Sequence, residues 1–474
     1  MKADPSFSEI MNASSIGWCD KKGDEGVLSI ALPIKNADPL ELLPVIAEEH
    51  QFRFLWDEAK DLSLAAAGYC QKIELAGPKR FELAQRFSDA TFGKLTNASP
   101  NTYPLARPRI LLAFSFFKQA MERLQSHENI PAMQAVLPKW QISRQGESAW
   151  LRLNGIVTHE ADARELAEHL WIMKEALMSN HKKTITTNTY SLAHYQNSKD
   201  WQNSYMPALS KGIELVENGQ LNKLVLAVRQ SIQLKESLDP LQLLSRLRKQ
   251  QNGSCRFLWQ RKFGEAFFGA SPEKLLSLKK GHFYCDALAG TASRNDNGSL
   301  LLKSNKDRLE HELVVNEITQ QLINEGLEPK RPNKPCLAKF GKLVHLHTPI
   351  KAISNNQRAL LLAEKLHPTP AVAGLPRKEA ISWLRTLEPF ERGNYAAPIG
   401  WIDSEGETEL RVAIRCGTVK GNLLELTAGA GLVKGSIAEK ELEEVGLKLT
   451  VLADQLAAVQ CDPHDKEFKR QSMT

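Results

Sequence analysis

The chain has 474 residues, 42% of them hydrophobic and 24% charged, with 28 Gly and 23 Pro, a composition that excludes collagenous, coiled-coil and low-complexity classes. Lys and Arg outnumber Asp and Glu by 61 to 55, and an excess of +6 is too thin over this length to argue for nucleic acid or an anionic membrane. A small anionic substrate would account for it. Seven cysteines at irregular, wide spacing, with no C-x-x-C, fit a reducing compartment. The segment MKADPSFSEIMNASS lacks the basic patch and apolar run of a signal peptide, and no stretch reaches the ~18 apolar residues of a membrane span, so a cytoplasmic protein is expected.

No internal repeat is visible, which argues against a solenoid or propeller. Up to about residue 190, the apolar runs VLSIALPI (27–34) and ILLAFSFF (110–117) predict strands, separated by polar, Pro-containing stretches such as NASPNTYPLARPR (97–109). No cluster in this half suggests chemistry. Met206, Leu209, Ile213 and Val216 recur at helical spacing and predict a helix over 201–216, followed by a strand over 224–232. Asp239 and Pro240 read as the N-cap and first turn of a short helix ending near 250, and 257–260 and 266–270 read as paired strands. Ser271, Pro272 and Glu273 read as the start of another helix. Further on come a long helix (304–325), a helix at 377–386, strands at 399–403, 409–415 and 423–427, a last helix (438–456) and a frayed tail from Cys461.

The last helix is the most informative element. With Glu441 at 0°, a step of about 100° puts Glu444 near 300° and Lys448 near 340°, beside a stripe of Val445, Leu449, Leu452 and Leu456. In the long helix, Glu310 and Glu317 border a stripe of His311, Val314, Ile318 and Leu322. Two helices thus offer hard oxygen ligands of the kind Mg²⁺ prefers, while solvated ion pairs such as Glu444 with Lys448 are the plainer alternative. Gly429 and Gly431 in TAGAGL, just after a strand, could present bare N–H groups to an anion, or simply make a turn; Gly269 and Gly290 invite the same two readings. Lys223 at the start of a strand and Arg415 at the end of ELRVAIRC could be surface residues. His345 and His347 share a strand face, His367 stands beside a turn, and all three could be structural.

Taken together, KLVLAVR, FFGASPEKLL, LAGTASR, SNKDRLEHELV, HLHTP, HPTPAVAGLP, LEPFERGNY, AIRCG, AGAGLVKGS and EVGLKL resemble, in order and spacing over about 200–456, the chorismate-utilising enzyme family and within it the isochorismate synthases. The resemblance implies an α+β fold of two large antiparallel sheets packed face to face with helices outside. It further implies one domain over 1–474, with 200–456 as the core and 1–190 only faintly matched. It assigns Lys223 as the base that activates water and Glu273 as the acid that protonates the departing hydroxyl. Glu310 and Glu444 correspond to Mg²⁺ ligands, with Glu441 near the metal's water shell. Arg415, Lys448 and the backbone at Gly429 and Gly431 match contacts to the two carboxylates of chorismate, and Gly290, Thr291, His345 and Tyr395 fall where pocket-lining residues would be.

The implied reaction is the reversible, Mg²⁺-dependent conversion of chorismate to isochorismate. Family members that use ammonia lack the base lysine, and aminodeoxychorismate enzymes carry a nucleophilic lysine where this chain has Ala289. A salicylate synthase shares the base, acid and metal positions and is the main alternative; an inactive chorismate-binding protein is the non-enzymatic one. Ala396 and Ala397 depart from the family pattern, in which a Gly is usual after the tyrosine. No nucleic acid or membrane partner is expected, and a monomer or weak homodimer is. Menaquinone, siderophore and salicylate pathways all remain open.

Overall fold

The computed structural model of the chain describes residues 4–21, 26–48, 51–58, 61–99, 103–119, 130–179, 190, 192–195, 198–294, 298–354 and 358–456; the tail from Cys461 lies outside them. Strands β1 (Gly26–Ile34), β2 (Arg53–Asp57), β3 (Ser63–Leu75), β4 (Leu95–Asn97), β5 (Arg109–Phe114), β6 (Met133–Gln145), β7 (Ser148–Val157) and β8 (Leu192–Tyr195) are interspersed with helices α1 (Phe7–Cys19), α2 (Pro39–Ile46), α3 (Arg80–Lys94) and α4 (Glu160–Ser179). Helix α5 (Ser198–Glu217) leads to β9 (Lys223–Leu234), α6 (Pro240–Gln250), β10 (Cys255–Lys262), β11 (Glu265–Ser271), β12 (Lys274–Lys279), β13 (His282–Ser293), α7 (Ser299–Lys303) and α8 (Asn305–Asn324). The chain continues through β14 (Cys336–Phe340), β15 (Leu343–Ile353), α9 (Ala359–Leu366), β16 (Gly374–Leu375), α10 (Arg377–Leu387), β17 (Pro398–Asp403), β18 (Thr408–Val412), β19 (Cys416–Lys420), β20 (Leu423–Leu432) and α11 (Ala438–Leu456).

Three local expectations are corrected. Ser271 to Glu273 do not open a helix. Ser271 Oγ accepts from the Glu273 N–H at 3.2 Å and donates to the Val412 carbonyl at 2.5 Å, which turns the chain from β11 directly into β12. TAGAGL lies inside β20 rather than after it, because the ladder with β9 continues to Leu432 opposite Leu224. The ELRVAIRC strand ends at Val412, and Arg415 sits in the bend before β19 with φ of +53°. The helices of the first half had no sequence counterpart. The inward face of α3, for example, carries Arg80, Gln85, Ser88 and Thr91 beside Phe81 and Ala84, so its apolar stripe is broken.

Among the described residues all strand pairs but one, β1 with β4, are antiparallel. The network branches at β6, whose 13 residues pair with β3 along one edge and with β5 and then β7 along the other. One arm runs β3, β2, β10, β11, β19, β20, β9; the second runs β5, β17, β18, β12, β13, β15, β14. The strands face one large apolar core, and helices cover the outside, with α8 against β13, α11 against β20 and α5 against β9. Among the described residues no helix is long and apolar enough to cross a membrane.

The first half of the chain enters the same sheet twice, through β2 beside β10 and through β5 beside β17. Asp57 is 2% exposed and lies directly across from Arg256 of β10. Its Oδ2 accepts from Arg256 Nε at 3.0 Å and Arg248 Nε at 2.8 Å, its Oδ1 from Ser63 Oγ at 3.0 Å, and Arg248 reaches on to Asp38. Removing one member of a buried ionic network leaves the others charged and uncompensated. Asp57→Ala should therefore lower unfolding stability by about 3 to 5 kcal/mol. Urea denaturation measures it, and a loss under ~1 kcal/mol would mean that the network contributes only as much as a surface pair.

Candidate functional site

Between the two arms lies a cavity of about 40 Å³, closely filled by its own side chains. From one arm it is lined by Val225 of β9 and by Gly429 and Gly431 of β20; from the other by Leu288 to Thr291 of β13 and His345 of β15. Glu310 of α8, Glu444 and Lys448 of α11, Glu273, Tyr395 and Arg415 complete it. The structure thus brings together eleven of the residues singled out from sequence. Lys223 and Glu441 stand just behind this lining. His347, His367 and Glu317 are elsewhere: His347 Nε2 pairs with Asp286 at 2.8 Å, His367 packs against Phe81 and Phe116, and Glu317 lies 3.8 Å from Arg377.

Lys223 is 0% exposed, and its Nζ is 3.0 Å from Glu310 Oε1. Burial pulls its pKa down, although Glu310 pulls the other way. Gly431 makes room for the pair, since a Cβ there would lie 2.1 Å from Glu310 Oε1 and 3.1 Å from Lys223 Cε. Glu273 is also fully buried, with one carboxylate oxygen lacking any hydrogen-bond donor. Burial, reinforced by Asp286 and opposed by Lys223 and Arg415, pushes its pKa up to about 8. It is a carboxylic acid that remains protonated at neutral pH.

Helices α8 and α11 supply the remaining charges. Lys448 donates to Glu444 Oε1 at 2.5 Å and to the Gly429 carbonyl at 2.8 Å. The pair is only about a tenth exposed, so it is not the solvated surface pair that the helix spacing also allowed. Burial would raise the Glu444 pKa, but Lys448 and Lys306 together with the Thr291 hydroxyl hold it down to about 2. Glu441 shifts the other way, up to about 7, through burial and the neighbouring Glu444 charge. Lys306, which sequence reasoning missed, stands among these acids, 2.9 Å from Glu441 Oε1 and 3.7 Å from Glu310 Oε2. Its spacing four residues before Glu310 on one helix was the available signal.

On the opposite wall, β13 carries a one-residue bulge at Gly290, φ +70°, between pairs Ala289–Leu346 and Thr291–His345. His345 Nδ1 lies 3.1 Å from the Gly290 carbonyl, which can only accept, so the ring proton is on Nδ1 and Nε2 is left to accept from Arg415 Nη2 at 3.5 Å. Burial, Arg415 and Lys448 push the His345 pKa down to about 3, which keeps it neutral. Arg415 is locked in its left-handed conformation by the Ala270 N–H, which donates to its carbonyl at 3.0 Å. The wall therefore presents a fixed guanidinium, a neutral imidazole and the buried Tyr395 phenol. Beyond Thr427, β20 no longer pairs with β19, which leaves one edge of the Gly429–Gly431 backbone open beside the cavity.

A larger cleft of about 680 Å³ near Phe117, Arg229, Trp259 and Phe390 shares none of these groups. Its charges are largely matched, Arg229 with Glu425 and Lys262 with Glu265.

Residues 12–457, nearly the whole chain, match the family described as chorismate binding enzymes. This chain is a member of that family. The isochorismate synthase MenF of Bacillus subtilis (strain 168) is 29% identical over 446 residues, 91% of this chain and 93% of its own. The salicylate biosynthesis isochorismate synthase of Pseudomonas aeruginosa is 32% identical over 440 residues, 89% of each chain. Among solved structures, a putative 2,3-dihydroxybenzoate-specific isochorismate synthase, DhbC of Bacillus anthracis, is 25% identical with a TM-score of 0.67, covering 88% of this chain and 99% of its own. MenF of Escherichia coli, a menaquinone-specific isochorismate synthase, shares the fold with a TM-score of 0.75 at 23% identity, over 94% and 100%. The antiparallel α+β architecture expected from the motifs is thus the architecture of the family.

Two consequences of this chorismate-binding enzyme's geometry can be measured. The folded-state pKa of Glu273 lies above its ordinary value of 4.5, so its favourable contribution is complete below pH 4.5 and is lost as the pH rises through about 8. Glu273→Gln removes the group whose ionisation burial opposes, and its stability relative to wild type should rise by a few kcal/mol between pH 5 and pH 8.5. Melting curves at the two pH values test this; a difference independent of pH would contradict the protonated acid. Gly431→Ala should force Glu310 off Lys223, and a variant that keeps wild-type melting temperature and full chorismate turnover would show that the close approach is dispensable.

Proposed function

We propose that the protein is an isochorismate synthase that acts on chorismate with Mg²⁺ bound. The observation that carries this is the grouping, around one small cavity, of a buried lysine, a buried acid that stays protonated, and a guanidinium and ammonium placed for an anion. Relatives carrying that name, alike over nine-tenths of the chain, support the choice.

In this reading Lys223, made less basic by burial, takes a proton from the water that adds at ring carbon 2. Glu273, protonated at neutral pH, gives its proton to the hydroxyl leaving carbon 4 while the double bonds shift. Water enters and water leaves, so the protons balance between the two residues over a cycle. Arg415 and Lys448, with the open backbone edge at Gly429 and Gly431, hold the carboxylates of the dianion, and His345 fixes the Arg415 plane. Tyr395, Gly290 and Thr291 shape the ring pocket.

The donor set suits a hard divalent cation. Glu310, Glu441 and Glu444 are carboxylates from two helices, and Glu310 Oε2 and Glu441 Oε2 are buried without a hydrogen-bond donor. Glu310 and Glu444 would hold Mg²⁺, with Glu441 toward its waters. When bound, the ion supplies charge neutralisation and polarisation of the substrate carboxylate. A monomer or weak homodimer is proposed.

Incubation of purified protein with chorismate and Mg²⁺ should yield isochorismate by chromatography with only a slow background of pyruvate in a coupled assay. Stoichiometric pyruvate and salicylate from the start would instead establish a salicylate synthase, and no turnover at all an inactive binding protein. Lys223→Ala and Glu273→Gln should each lose about 10² to 10⁴ in rate while still folding. Retention of more than about a tenth of the activity in either would remove that residue from the acid–base pair.

A further inference from the structure

Resting on the cation site just proposed, we infer that Lys306 is a built-in occupant of that site, which a divalent ion must displace in order to bind. Its ammonium lies 2.9 Å from Glu441 Oε1, 3.7 Å from Glu310 Oε2 and 4.0 Å from Asp307 Oδ1, the position from which one cation serves both helices. Burial opposes its charge, yet the Glu310, Glu444 and Glu441 carboxylates outweigh burial and bind its proton more tightly than in water.

One ammonium cannot complete this site. Glu310 Oε2 and Glu441 Oε2 remain buried with no hydrogen-bond donor, so a single positive charge leaves two acceptor oxygens unsatisfied. Among the described residues no three Asp, Glu, His or Cys side chains stand close enough to hold a metal ion as they are. Mg²⁺ requires oxygens at about 2.0 to 2.1 Å, so an ion drawn between Glu310 and Glu441 would take the place where the ammonium now lies.

Lys306 can leave without moving the backbone. It is the second residue of α8, whose start is fixed by the Ser304 cap, and its side chain is 22% exposed while those of Glu310 and Glu441 are 6% and 2%. It therefore closes the acidic cluster from the solvent side, on a flexible stem that can swing outward. The metal-free enzyme is held together by this lysine, and apparent metal affinity is reduced by the work of expelling it.

Calorimetric titration of Mg²⁺ into the full chain without chorismate, with Mn²⁺ and electron paramagnetic resonance as a second probe, tests the inference. Lys306→Met, and Lys306→Gln should the first fail to fold, should bind the ion about tenfold tighter than wild type. Without metal these variants should melt lower than wild type and recover on adding Mg²⁺. Equal or weaker binding by the variants, with wild type binding normally, overturns the role of Lys306 alone. Absence of binding by wild type and variants alike overturns the cation site as well, and Glu310→Gln, which should abolish binding, identifies the carboxylates being measured.

Discussion

A lysine with no exposed surface, paired at 3.0 Å with a carboxylate that is itself 6% exposed, is the constraint on which the centre of this molecule depends. A buried pair of this kind is tolerable only if both partners stay in place. Three elements are committed to that end. β9 carries the lysine at its first residue, α8 carries the glutamate in its second turn, and β20 offers a residue without a side chain where the two meet. The wider site extends the same logic. Lys223, Lys306, Lys448 and Arg415 face Glu310, Glu441, Glu444 and Asp307, while Glu273 stays neutral.

The branching of the sheet at β6 makes such a site possible. A single flat sheet would present its residues on two separate faces. Here the two arms diverge from one long strand, and the cavity collects backbone edge from one arm and side chains from the other. Among the described residues the first half of the chain contributes none to the lining, but β2, β3, β5 and β6 connect the arms, and Asp57 ties that connection to β10 through charge. Its importance to the site is therefore mechanical.

What could be read from sequence follows physical lines. Helices α5, α6, α8 and α11 declare themselves by period and caps, since Asp239 and Ser304 accept from backbone N–H groups near the helix starts. Glu310, Glu444 and Lys448 were legible as charges bordering a buried stripe, but whether they met solvent or each other depended on tertiary placement. Glu273 was misplaced onto a helix because Ser-Pro-Glu is locally a helix start. Only the hydrogen bond from Ser271 to Val412, 141 residues away, makes it a turn between strands. Lys306 escaped because a lysine four residues before a glutamate is normally a surface pair, and its meaning comes from Glu441, on a helix more than a hundred residues later. The roles themselves came from family resemblance rather than from spacing.

The bulge on β13 has a consequence for how this wall could have arisen. Ala289 pairs with Leu346 and Thr291 with His345, so Gly290 is extra to the ladder rather than part of it. Removing it would leave the pairing on both sides in register and every side chain on its present face, in contrast to an ordinary deletion, which reverses all positions beyond it. What would be lost is local: the carbonyl that sets the His345 tautomer, and through it the imidazole nitrogen that receives Arg415. The inserted glycine is thus separable from the sheet that carries it, a residue that could be gained or discarded without cost to the scaffold.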